Sequence, residues 1–305
     1  MIFSEFSADS VAEFPASAPE SARRARFRFR KWLNASAIFL SLFAMVFGIF
    51  WLLWILWDTC RMGLSSFSVA MFTESTPPPN EEIGVGGLAN AMMGSLQMVA
   101  LATLIGAPVG VLSGIYLAEY DPRGKMAVMI RFINDLLLSA PSIIIGLFIY
   151  AVMVVRFKEF SGWAGAAALS LIVIPVVIRT TENMLALIPI GLREAAYALG
   201  APKWKVIMRV TLTAARAGVL TGVLLAVARI AGETAPLLFT ALNNQFWKAG
   251  LSGPTANLPV TILQFAMSPY ENWRQLAWGG VFLITLAVLV LNILARILSR
   301  GRGTE

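Results

Sequence analysis

No histidine occurs among the 305 residues, and cysteine occurs once, at Cys60. The first absence removes the commonest metal ligand and the side chain that titrates near neutral pH. The second excludes an intrachain disulfide and a cysteine metal cluster. Charge is scarce as well. Only 13% of residues are Asp, Glu, Lys or Arg against 58% hydrophobic, whereas a soluble domain carries about 25% charged residues. The alternating apolar and polar pattern of a membrane barrel is missing too, so an all-α integral membrane protein is the expected fold class. No Gly-xxxx-Gly-Lys-Ser/Thr loop is present, since Gly124-Lys125-Met126 lacks both the earlier glycine and the following hydroxyl. A chain without that phosphate cradle is not expected to bind ATP itself. An intramembrane enzyme would need a nucleophile with its base, a carboxylate pair or a metal cluster at membrane depth. The sequence offers none, so neither catalytic residues nor a metal site are expected.

What is present is long apolar stretches. About 30 Å of hydrocarbon takes about 20 helical residues to cross. Six stretches reach that length, near Ala35–Trp57, Leu88–Ala118, Phe132–Val155, Ser161–Ile178, Ala217–Ala241 and Leu276–Ala295. The second has no charge over 31 residues, about 46 Å of helix, and must tilt or protrude. The first follows a basic segment but lacks a small-residue cleavage site, so it is expected to be an uncleaved span.

The net charge of +7 has an orderly distribution. Counted loop by loop, 18 of the 24 Lys and Arg fall in the N-terminal tail, the 119–131 and 179–216 loops and the C-terminal end. The alternate loops hold five, namely Arg61, Arg156, Lys158, Lys248 and Arg274. By the positive-inside rule both termini are expected in the cytoplasm.

Between the spans, residues 58–87 carry Glu74, Glu81, Glu82 and the run Pro77-Pro78-Pro79, and are expected to project without a fixed helix. Leu242–Gln275, with Pro254, Pro259 and Pro269, is the other substantial outer loop. Gly106, Gly110 and Gly114 recur every four residues, which suits close helix packing. Pro108, Pro141 and Pro175 fall inside spans, where kinks are expected.

Two segments stand out. Leu192, Ala195, Ala196 and Leu199 fall at i, i+3, i+4 and i+7, the pattern of a short amphipathic helix, and Gly200 suits its C-terminal cap. Pro202 suits the start of a second helix. Such a bend on the cytoplasmic side can be pressed by a soluble subunit, or can rest on the lipid surface. The second segment places Arg229 at the midpoint of the 25-residue stretch Ala217–Ala241, with Glu233 four residues on. A charge at the centre of a membrane helix costs about 2.5–3.5 kcal/mol on insertion scales, so it is kept for a partner, a cavity or a substrate path. The pair is read either as part of such a path or as an ion pair that fixes helix packing.

Glu194-Ala195-Ala196-xxx-Gly200 resembles the coupling motif of binding-protein-dependent ABC importer permeases. The Leu-Pro that usually follows about a dozen residues later is replaced here by Leu212-Thr213. Ala228-Arg229-Ile230-Ala231-Gly232-Glu233-Thr234-Ala235-Pro236 is similar to permeases of phosphate-specific ABC importers, PstA type. Ser139-Ala140-Pro141-Ser142, Gly146-Leu147-Phe148 and Arg179-Thr180-Thr181-Glu182-Asn183-Met184 share that resemblance, which covers most of Leu88–Arg296.

The resemblance implies a type I importer fold of six transmembrane helices and a multi-pass protein of the bacterial inner membrane. Its parts would be a tail at 1–34, expected to be disordered; a first transmembrane helix at 35–57; a periplasmic loop at 58–87; a transmembrane domain at 88–298 with a coupling loop at 179–216; and a tail at 299–305. It implies a phosphate path formed by Arg229, Glu233 and Thr234, with Arg179 as a second basic candidate. The alternative for Arg179 is an ordinary snorkelling arginine at a span end. ATPase coupling falls to Glu194, Ala195, Ala196 and Gly200. Implied partners are a homologous PstC-type permease, a PstB-type ATPase dimer that carries ATP and Mg, and a periplasmic PstS-type phosphate-binding protein. An importer for another oxyanion or nutrient is the alternative.

Overall fold

The structure, a computed structural model, describes residues 20–79, 86–247 and 250–300. It divides into two units between Asp58 and Thr59. The first unit is the greater part of α1 (Glu20–Ser65). Its apolar side chains are exposed, with Phe43, Phe47 and Trp51 in edge and stacked contact along one stripe. The helix starts at Glu20 rather than at the expected Ala35, so Arg24, Arg28, Arg30 and Lys31 are helical. Ala, Arg and Lys are strong helix formers, and neither Gly nor Pro interrupts Glu20–Phe47. The part of the expected tail before Glu20 lies outside the described residues.

The second unit holds the remaining helices. Short α2 (Ala70–Thr73) precedes α3 (Ala89–Ile115), which continues through a π turn at Tyr116–Tyr120. After α4 (Lys125–Ser139) come α5 (Ser142–Ile149), a π turn at Tyr150–Val154 and α6 (Val155–Phe157). Next are α7 (Gly162–Ala186), α8 (Ile190–Ala198) and α9 (Lys203–Val206), joined by a π turn at Ile207–Thr211 to α10 (Leu212–Ile230). Last are α11 (Ala235–Thr240), α12 (Leu258–Ala266) and α13 (Glu271–Arg300). The ends that carry most of the Lys and Arg define a basic side of the bundle, and the opposite ends a far side.

Five helices are long and apolar enough to cross a membrane, or six if the pair Lys125–Ser139 and Ser142–Phe157, bent by 106°, is one span. The kink expected at Pro141 in Phe132–Val155 is therefore a full break between α4 and α5. Ala140 is extended at ψ 131° directly before Pro141, as the proline ring demands of its predecessor. Pro108 and Pro175 sit instead inside unbroken α3 and α7. The expected span Ala217–Ala241 is also interrupted: α10 stops at Ile230 and α11 starts at Ala235.

The centre of the bundle is α3 against α7. Lipid gives no hydrophobic drive for two helices to associate, so contact depends on how closely their backbones approach. Gly106, Gly110 and Gly114 provide that approach. A β-carbon added at each would fall within 3 Å of Val173, Val177 and Thr181 respectively. Around this seam Met98, Leu169, Ile230, Leu237 and Val260 complete a continuous core.

Both outer loops hold ordered structure, the first of them against the expectation that it lacks a fixed helix. In residues 58–79, α2 buries Met71, Leu88 N donates to Met71 O at 3.0 Å, and Trp273 Nε1 donates to Pro77 O at 3.1 Å. Glu81 and Glu82 lie outside the described residues. In Leu242–Gln275, α12 inserts into the core, capped by Asn257, whose side chain accepts from Val260 N at 3.1 Å and donates to Leu242 O at 2.8 Å. Asn90 Nδ2 donates to Asn244 O and Gln245 O, both at 3.1 Å, and ties the loop to α3. Composition alone hides this order, because Asn90 and Asn244 are too far apart in the chain to form a local pattern.

Candidate functional site

The α-helical hydrogen bonds of α10 run out as Arg229 is reached. Ala231 N still bonds Val227 O at 3.0 Å, but Gly232 N and Glu233 N fall back on Arg229 O and Ile230 O, three residues earlier. The chain then steps sideways into α11, where Pro236 is accepted because the first-turn N–H is unused. Gly232, with no neighbour for a side chain within 4 Å, leaves the step open.

Arg229 and Glu233 therefore flank a helix end rather than occupying one regular turn. Arg229 Nε lies 3.8 Å from Glu233 Oε1, an ion pair too long for a hydrogen bond. The Arg229 side chain is 48% exposed and that of Glu233 17%. Among the described residues the Arg229 guanidinium makes no hydrogen bond, so its planar set of donors stands half-exposed beside a mostly covered carboxylate. Thr234, half-buried at the start of α11, uses its carbonyl to accept from Leu238 N at 3.1 Å.

Arg179 is exposed on α7, the helix beside α10. Thr180 abuts Gly222 and Met184 abuts Gly218, so the two helices run antiparallel. Arg229 lies seven residues beyond Gly222, which staggers the two arginines by about 10 Å along the helix axes. The structure thus joins Arg229, Glu233 and Thr234 at one break and places Arg179 on the adjacent helix, nearer the basic side.

Glu194, Ala195, Ala196 and Gly200 lie elsewhere, on α8 and its cap at the basic side. The cap is a complete Schellman arrangement: Gly200 N bonds Tyr197 O at 2.9 Å, Ala201 N bonds Ala196 O at 3.3 Å, and Gly200 has φ +77°. No residue of α8 is buried, and Leu199 is 90% exposed. The apolar stripe points away from the bundle, while Arg193 turns inward.

That inward arginine is what sequence reading missed. Arg193 Nε and Nη2 donate to Glu119 Oε1 at 3.1 and 2.9 Å, and its Nη1 and Nη2 donate to Ile188 O and Leu185 O, both at 2.7 Å. A second arginine, Arg131, binds Glu182 Oε1 at 2.7 Å, Pro122 O at 2.8 Å and Leu117 O at 3.3 Å. Both carboxylate partners are far away in sequence, 74 residues for Arg193 and 51 for Arg131, so no local spacing signals either pair in advance.

Known proteins resemble this chain in fold and in sequence. A bacterial ABC transporter involved in the import of the acidic polysaccharide alginate superposes with a TM-score of 0.56 at 15% identity, over 90% of this chain and 100% of that one. It shows the fold, that of a type I ABC importer permease. The phosphate transport system permease protein PstA of Yersinia pestis is 58% identical over 276 residues, 90% of this chain and 93% of the relative. The protein of the same name from Pasteurella multocida (strain Pm70) is 56% identical over 271 residues, covering 89% and 96%. The family model for binding-protein-dependent transport system inner membrane components matches residues 108–302, a stretch that takes in the broken span, the Arg229 step and the exposed turn alike. Sequence and fold thus agree that this chain is an inner-membrane protein belonging to the family of binding-protein-dependent transport permeases and, within it, to the PstA group.

Proposed function

We propose that this chain is the permease subunit of an ATP-driven phosphate importer, forming one half of the translocation path. The observation that carries this reading is the Arg229 guanidinium, half-exposed beside a break in an apolar span and, among the described residues, without a hydrogen bond. Phosphate is an anion with several acceptor oxygens, and a guanidinium offers it paired, charge-assisted hydrogen bonds. Glu233, 3.8 Å away, orients the arginine between substrates and repels an anion that lingers. Interrupted helices at membrane depth are where transporters expose backbone groups to a polar path. Thr234 adds a hydroxyl, and Arg179 a second positive charge about 10 Å toward the basic side.

The other half of the path belongs to a homologous PstC-type permease, and a PstS-type protein delivers phosphate from the periplasm. ATP and Mg reside on a PstB-type ATPase dimer, whose groove receives α8 through its outward apolar stripe. With the basic side facing the cytoplasm, both termini lie there. The test is the reconstituted complex. Phosphate, presented with its binding protein, should stimulate ATP hydrolysis and accumulate in the vesicles, and sulfate should do neither. Stimulation by sulfate or another nutrient in place of phosphate would overturn the choice of cargo.

A further inference from the structure

We propose that Arg193 is a positioning residue that locks the coupling helix to the two central helices, so that a displacement of α8 reaches the path by a second mechanical route. The proposal rests on the reading of the preceding subsection, that α8 receives the ATPase stroke.

The first route is covalent. From the Gly200 cap the chain enters the continuous rod Lys203–Ile230, at whose far end Arg229 sits. A tilt of α8 can turn that rod about the Gly200–Pro202 bend, and it reaches α7 only indirectly, through Leu187–Pro189 and where Gly218 and Gly222 of α10 meet Met184 and Thr180. The second route is the Arg193 guanidinium. It makes four hydrogen bonds from one rigid plane: two to the Glu119 carboxylate in the terminal π turn of α3, and one each to the carbonyls of Leu185 and Ile188 at the end of α7.

Those carbonyls belong to the last turn of α7 and its exit, where the helix carries its negative dipole end, and Leu185 O also accepts from Ile188 N at 3.2 Å. The pair is also sheltered, with side-chain exposures of 16% for Arg193 and 6% for Glu119. Poor access of water keeps such an ion pair from exchanging its partners freely. A planar guanidinium fixed at four points resists sliding and rotation in a way an ammonium does not. Three elements, α3, α7 and α8, are therefore joined at one side chain.

The joint has something stiff to push. The glycine seam of α3 against Val173, Val177 and Thr181 leaves no room for the two helices to slip past each other. Arg179 stands on α7 six residues before Leu185, about 9 Å up the same helix. Motion of α8 thus reaches Arg179 through Arg193 and Arg229 through the α9–α10 rod, and the joint adds a direct tie between the two shifts to the packing of α10 on α7.

The test uses the whole reconstituted complex with Arg193→Lys, which keeps the charge and loses the planar fork, and with Glu119→Gln, which keeps the shape and loses the charge. The readout is phosphate accumulated per ATP hydrolysed, which a purely structural role would leave unchanged in complexes that assemble. Coupling free energies commonly span about 5- to 150-fold, and Arg193→Lys should lower the ratio by about tenfold at wild-type abundance, with Glu119→Gln lowering it less. A wild-type ratio in Arg193→Lys overturns the joint. If Arg193→Lys does not assemble, Glu119→Gln decides, and a wild-type ratio there overturns it equally. Failure of both variants to assemble also overturns it, because the pair is then a folding element. Failure of the underlying reading looks different, since Gly200→Val in the turn after α8 would then leave both ATP hydrolysis and uptake at wild-type values.

Discussion

Gly146 on α5 faces Pro236 on α11 so closely that a β-carbon on the glycine would lie 2.6 Å from the Pro236 Cα. One residue belongs to the span bent at Pro141 and the other to the span broken after Ile230, so the two interruptions are seated on each other. An opening on one implies a displacement of the other.

Gly146→Val should accordingly harm assembly before it harms chemistry. Overpacking against a backbone that cannot yield costs about 1–3 kcal/mol. Losses of that size lower cellular abundance several-fold. Immunoblots of membranes should show the drop, while Gly48→Ala, whose β-carbon meets nothing within 4 Å, should match wild type.

Gly200→Val tests the turn after α8. The glycine sits at φ +77°, a region costing a β-branched residue about 1–2 kcal/mol, and its relief would unwind the Schellman cap rather than the spans. The complex should assemble, with phosphate-stimulated ATP hydrolysis and uptake both reduced. Wild-type values for both would remove the turn from the coupling path.

Orientation is open to direct chemistry. In a Cys60→Ser background, Ser252→Cys on the far side and Leu199→Cys on α8 are both exposed positions. An impermeant thiol reagent applied to intact cells should label the first and not the second, and permeabilised cells lacking the ATPase should yield both. The reverse pattern would invert the topology drawn from the distribution of Lys and Arg.

Local chemistry explains which features are legible in the sequence. Span number, the Gly200 cap, the glycine seam and the Arg229–Glu233 pair each depend on residues a few positions apart, so periodicity and spacing expose them. The bend at Pro141 is legible only as a kink, because proline removes one bond wherever it falls, and whether a helix breaks depends on what packs beside it. Here Gly146 and Pro236 supply that neighbour. The long-range ties of the outer loops and the Arg193–Glu119 joint escape because the partners lie 74 or more residues apart, as in Asn90 with Asn244 and Arg193 with Glu119.

The last prediction separates the two meanings of the Arg229–Glu233 pair. If the two side chains only clamp the step between α10 and α11, exchanging them through Arg229→Glu with Glu233→Arg preserves the attraction and should recover much of the activity lost in either single variant. If Arg229 meets the anion, the exchange fails for a geometric reason. The half-exposed position receives a carboxylate, and the guanidinium moves to the position that is 17% exposed, beyond the helix end, where fewer of its donors can face the path. A hydrogen bond to a charged group is worth about 1.5–3 kcal/mol, so phosphate uptake in the exchanged variant should stay about ten- to a hundredfold below wild type. The comparison is made at matched membrane abundance with the ATPase still copurifying, so that loss of assembly is not read as loss of function. Recovery to near the wild-type rate would reduce the pair to a clamp and take Arg229 off the phosphate path.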